Sequence, residues 1–99
     1  MEFLIADTFT ASLARLTVDE QKAVKITTFD LQTNPSSPGI QMHKLEHGRD
    51  RNFWSARVNS DVRIIVHRTA GGLLLCYGVL SVTVRKWVLL GDRAPMSAR

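Results

Sequence analysis

Residues 52–77, NFWSARVNSDVRIIVHRTAGGLLLCY, constrain this chain more than any other stretch. Three runs rich in aromatic and β-branched residues are separated by two clusters of turn formers, Asn59-Ser60-Asp61 and Thr69-Ala70-Gly71-Gly72. That pattern predicts three antiparallel strands. The first turn sets a register: with Val58 opposite Val62, Arg57 faces Arg63, Ala56 faces Ile64, Ser55 faces Ile65, Trp54 faces Val66 and Phe53 faces His67. Side chains alternate between the two faces of a strand. One face then carries Val58, Val62, Ala56, Ile64, Trp54 and Val66, which is a core face. The other carries Arg57, Arg63, Ser55, Ile65, Phe53 and His67. Two arginines directly opposite each other repel unless an anion lies nearby, so this second face is the candidate functional surface.

The segments before the meander read as a strand and two helices. Glu2 to Ala6 is a short strand. Asp7, Thr8 and Thr10 offer N-caps for a first helix, which the spacing of Phe9, Leu13 and Leu16 ends near Leu16. Thr17-Val18-Asp19-Glu20 is a capping box and opens a second helix. Val24, Thr28 and Leu31 line its stripe, with Ala23, Thr27 and Phe29 nearby, and Asn34-Pro35 stops it. The two helices form an antiparallel hairpin with one apolar side. Residues 34–39, NPSSPG, are a loop without regular structure. Ile40 to Leu45 is a strand candidate. Residues 46–52 connect it to the meander and carry His47, Arg49 and Arg51, which could contact phosphate. After Tyr77, Gly78 breaks the last meander strand. Val79 to Leu90 is apolar, with Arg85 and Lys86 inside it, and reads either as a further strand or as a short helix. Left unpaired, it would mark a homodimer interface or a partner groove. Residues 91–99 read as a flexible tail on a single domain of residues 1–90. The fold class is α+β: an N-terminal strand, a two-helix hairpin, then an antiparallel β-meander.

Composition bounds the chemistry. With 99 residues the chain is one small domain. Its net charge of +4 is uneven: residues 44–99 hold ten basic and four acidic side chains, residues 1–43 three and five. A basic second half points to a polyanionic partner. Cys76 is alone, which leaves no internal disulfide, and no signal peptide or membrane span is visible, so a cytoplasmic location is expected. There is no phosphate-binding glycine loop, no H-E-x-x-H and no zinc-spaced Cys/His cluster; neither metal nor cofactor is expected. What remains is electrostatic. Arg57 and Arg63 could clamp a scissile phosphate, His67 could move a proton, and Phe53 could stack on a base.

The order β-α-α-β-β-β and the string WSARVNSDVRIIVHR resemble the RelE/ParE toxin superfamily. An aromatic (Phe53), an arginine strand (Arg57), a short turn (Asn59 to Asp61) and an arginine before apolar residues (Arg63-Ile64-Ile65-Val66) follow its passage. Residues 16–35 are similar to its helical hairpin ending in N-P, and Lys44-Leu45 to its short strand. The phrases SLARLT, DEQKAVK, HKL and LLLCY also resemble a RelE-like module at the N-terminus of some UvrD/Rep-type helicases. The resemblance covers residues 2–77. It implies a metal-independent endoribonuclease that cleaves mRNA on the ribosome, halting translation, with the RNA's own 2′-hydroxyl as nucleophile and a cognate antitoxin as partner. Arg57 and Arg63 match two of the family's basic residues. Lys44, Arg49, Arg51, Phe53, Arg57, Arg63, Arg85 and Lys86 are the expected RNA contacts, with Arg57, Arg63 and His67 as the catalytic set. ParE-type relatives instead poison DNA gyrase. The family's basic residue and late tyrosine after the last strand have no match at Val79 to Val82, where only Arg85 and Lys86 could substitute. A noncatalytic module that binds nucleic acid or protein, attached to a helicase, is therefore the alternative.

Overall fold

The computed structural model describes residues 2–45 and 52–84. Strand β1 (Glu2–Ile5) leads into helices α1 (Asp7–Leu13) and α2 (Val18–Thr33). Strands β2 (His43–Lys44), β3 (Phe53–Arg57), β4 (Val62–Thr69) and β5 (Gly72–Leu80) follow. They form one sheet in the order β1-β5-β4-β3-β2, antiparallel except for the β1–β5 pair, which is parallel. The architecture is α+β, as expected, with both helices on one face of the sheet. α1 packs chiefly on β5, and α2 reaches β4.

The meander has the register set by its first turn. Phe53 pairs with His67, Trp54 with Val66, Ser55 with Ile65, Ala56 with Ile64 and Arg57 with Arg63. Asn59 holds the turn: its Oδ1 accepts from the backbone N–H groups of Asp61 (2.8 Å) and Val62 (2.9 Å). Such an Asx turn substitutes a side-chain oxygen for a backbone acceptor. The helix-facing side buries Ala56, Val62, Ile64, Val66, Leu73 and Leu75 against Phe9, Val24 and Leu31, with Trp54 at the margin.

Helix α2 starts at the expected capping box. The Glu20 N–H donates to Thr17 Oγ1 at 3.2 Å, and the Thr17 N–H donates to Glu20 Oε1 at 2.8 Å. Thr17→Ala is expected to lower stability by about 1 kcal/mol in urea denaturation, through loss of one of these caps. Helix α1 departs from expectation. Its N-cap is Ala6, without a side-chain cap, and it ends at Leu13 rather than near Leu16. Thr8 is drawn instead to the sheet. β1 separates from β5 after Ile5, which exposes the β5 backbone edge. Thr8 Oγ1 donates to the Cys76 carbonyl at 2.6 Å, and the Gly78 N–H donates to Ser12 Oγ at 2.9 Å. Two α1 hydroxyls thus satisfy backbone groups that no strand reaches.

The same bonds explain why Gly78 does not break β5, which runs on to Leu80. A bulge falls at Cys76 instead: Ile65 pairs with Tyr77 but Val66 pairs with Leu75. Other expectations are corrected too. Phe29 lies on the outer side of α2 and is exposed; Thr27, not Thr28, is the buried threonine. Residues Pro38–Ile40 form a 3-10 turn, so the loop is partly regular. Ile40 is buried there, Gln41 takes a left-handed backbone (φ 48°), and the strand shrinks to His43–Lys44. Proline at the start of the turn and glycine after it favour that turn over an extended chain. Of Val79 to Leu90, Val79 and Leu80 close β5 and residues 81–84 make a helical turn. His47, Arg49, Arg51, Arg85, Lys86 and the tail 91–99 lie outside the described residues.

Candidate functional site

The face opposite the helices carries the arginine pair. Arg57 ends β3, and Arg63, the second residue of β4, stands directly across from it. Their side chains diverge, as like charges must. Arg63 Nη1 donates to the buried Ser55 hydroxyl at 3.2 Å, and Arg57 Nη1 reaches outward to Gln41 Oε1 at 3.4 Å. Arg63 has a pKa below the usual arginine value, through desolvation first and the nearby Arg57 charge second. An anion bound between them would relieve both penalties.

Beside Arg63 lies an open cleft of about 440 Å³, lined by His43, Leu45, Ser55, Ser60, Ser81 and Val84 as well as Arg63. Among the described residues its lining is one cation, one imidazole and three hydroxyls, with no carboxylate. β2 brings His43 there, because its two residues pair with β3 so that His43 stands opposite Ser55. The sequence reading missed His43. A short strand after an unpaired connection has no readable register, although Leu45, two residues on, is apolar and points to the same face.

His67 is on this face but apart from Arg63. Between them on β4 sits Ile65, fully buried, in a cluster with Leu45 and Val84 against which Phe53, Tyr77 and Val79 pack. The His67 and Phe53 rings meet edge to face, with centroids 4.8 Å apart. Phe53 is thus engaged with its own sheet. Lys44 lies on the other face: it pairs with Trp54, and its Nζ is 6.0 Å from the centre of the indole ring. The structure brings Arg63, Ser55 and His43 together; the Arg57 side chain turns to a second cleft beside α2, lined also by Thr27 and Asp30, and His67, Phe53 and Lys44 stand elsewhere. Among the described residues no group of three or more His, Cys, Asp or Glu side chains could hold a metal ion, and no helix is long and apolar enough to cross a membrane.

No protein-family model and no curated protein sequence matches the chain. Solved structures do match it by fold. YafQ from E. coli strain BL21(DE3) superposes with a TM-score of 0.68 at 15% identity, over 84% of this chain and 96% of that one. A chain of the RelB-RelE antitoxin-toxin complex from Methanococcus jannaschii gives 0.67 at 16% identity, over 85% and 96%. A YoeB/ParE toxin from Agrobacterium tumefaciens gives 0.62 at 13% identity, over 81% and 98%. With its helix pair on one side of a five-stranded sheet, the chain has the fold of the RelE, YafQ and YoeB toxins.

Proposed function

We propose that this chain is a toxin-type domain of the RelE/ParE superfamily that binds RNA on the face carrying Arg57 and Arg63 and cleaves it there. The observation that carries this reading is Arg63 in a cleft whose described lining holds His43 and three serine hydroxyls and no carboxylate, with Arg57 opposite it on β3. Arg63 receives the scissile phosphate, and Arg57 neutralises a neighbouring one. His43 takes the proton of the 2′-hydroxyl. That oxygen attacks phosphorus, a 2′,3′-cyclic phosphate forms, and the bond to the 5′-oxygen breaks. The departing oxygen takes its proton from water in the open cleft. Ser55 holds the Arg63 guanidinium in position. An antitoxin is the proposed protein partner, since neighbours of this fold include the RelB-RelE and DinJ-YafQ complexes.

A second reading rests on the Val84 turn. It packs over Ile65 with Leu45 and fills part of the face between Arg63 and His67. That arrangement suits a noncatalytic descendant that holds a polyanion, including one attached to a helicase. Induced expression in a bacterial host separates the readings, with Arg63→Ala and His43→Ala forms beside the parent. The ribonuclease reading expects growth arrest with cut messages, lost in both variants. Arrest with intact messages would point to gyrase. Growth unaffected by a soluble, folded chain would leave the binding module.

A further inference from the structure

The opposite face of the sheet holds a second concentration of basic and aromatic groups. Trp54 is half-buried at the margin of the core, beyond the cover of the helices. The Arg68 guanidinium stacks over its indole at 4.7 Å, and Lys44 Nζ lies over the same ring at 6.0 Å. The two cations come from different strands, β4 and β2, and both are exposed. No carboxylate among the described residues pairs with either of them. The ring's electron-rich face is what holds them, which leaves both charges able to meet an anion. Beside them is an open cleft of about 340 Å³ whose lining includes Ser36, Ser37, Gln41 and Arg68 and, among the described residues, no acidic one. Gln41 links this cleft to the other face, because its Oε1 also accepts from Arg57.

We propose that Lys44, Trp54 and Arg68 form a second contact for single-stranded RNA, reached by a strand that leaves Arg57 and passes over the β2 edge of the sheet. Arg68 and Lys44 take two backbone phosphates, and Trp54 fixes where those charges stand. This inference rests on the reading of RNA as the partner of the arginine face. The argument for a phosphodiester chain is continuity: Arg57 reaches Gln41, Gln41 lines the cleft that holds Trp54 and Arg68, and Lys44 lies over the same indole, so cations mark both ends of the path. The contact would hold the strand whether or not cleavage occurs.

The test is the salt dependence of binding of an unstructured RNA oligonucleotide, measured by fluorescence anisotropy on the full chain. Each phosphate contact to a single strand contributes about 0.7 to the slope of log K against log salt. A Lys44→Gln, Arg68→Gln double variant is expected to lower that slope by roughly 1.4. Arg63→Ala is expected to lower it further when added. Lys44→Gln alone, at an exposed position, is expected to lower it by about 0.7 and serves if the double variant folds poorly. An unchanged slope in these variants, with Arg63→Ala still weakening binding, overturns the second contact and leaves the arginine face intact. Binding indifferent to Arg63→Ala as well overturns both. An unchanged RNA slope with weakened binding of poly-glutamate overturns it in favour of an acidic protein partner.

Discussion

Gly72→Ala is expected to unseat β1 and lower stability by at least about 1–3 kcal/mol, the range for an overpacked site. A Cβ at this position would lie 1.9 Å from the Glu2 carbonyl oxygen and 2.9 Å from its Cα. Both are backbone atoms, so no side chain can turn aside. Glu2 pairs with Gly72, and the Glu2 N–H donates to the Gly71 carbonyl at 2.8 Å. Pushing Glu2 away therefore opens the whole parallel β1–β5 edge, from which Phe3 packs against the core. A domain of this size has about 5–15 kcal/mol in all, so the loss is large. Gly71→Ala is the control, because its added Cβ would meet nothing nearer than Thr69 Oγ1 at 4.0 Å. Thermal melts should separate the two variants clearly. Equal melting temperatures would contradict the close approach of β1 to Gly72.

Arg57→Gln is expected to act in opposite directions on folding and on binding. Like charges directly opposite on a sheet destabilise it, so removing one should raise the stability of the free chain by about 0.2–1 kcal/mol. It also removes the nearby charge that lowers the Arg63 pKa, while burial still acts on Arg63. RNA affinity should fall, and the salt slope should drop by about 0.7. Urea denaturation and RNA titration of the same sample would read both signs. A variant that loses stability and binding together would make the pair a structural feature rather than an anion site. Repulsion held in the free state and released on binding is the physical signature of a functional cluster.

How much of this was legible beforehand depends on what fixed each register. The hairpin of β3 and β4 is local. Asn59 closes its turn by itself, and strict alternation then assigns every side chain to a face. Arg57 opposite Arg63 followed from that, as did the apolar set that became the core. The capping box of α2 was equally local, since Thr17 and Glu20 meet within one helical turn. The faces of β5 were not local. If the alternation of Leu73 and Leu75 simply continued, Tyr77 and Val79 would face the helices; the bulge at Cys76 turns them to the arginine face instead. A bulge is chosen by the fit of two strands and leaves no firm mark in one of them.

The candidate site divides along the same line. Its charges were readable, because two arginines flank one short turn. His43 was not, because a two-residue strand carries no readable alternation and only its pairing with β3 sets its face. Thr8 reads from sequence as an N-cap candidate, but the departure of β1 leaves β5 backbone groups that Thr8 and Ser12 satisfy instead. Sequence alone determined the fold class, the capped start of α2, the β3–β4 register and the arginine pair, since the last three arise from neighbours within one turn. Tertiary structure decided the mixed sheet, the bulge and the place of His43. Each of those depends on a partner distant in the chain, whose position only the packed whole defines.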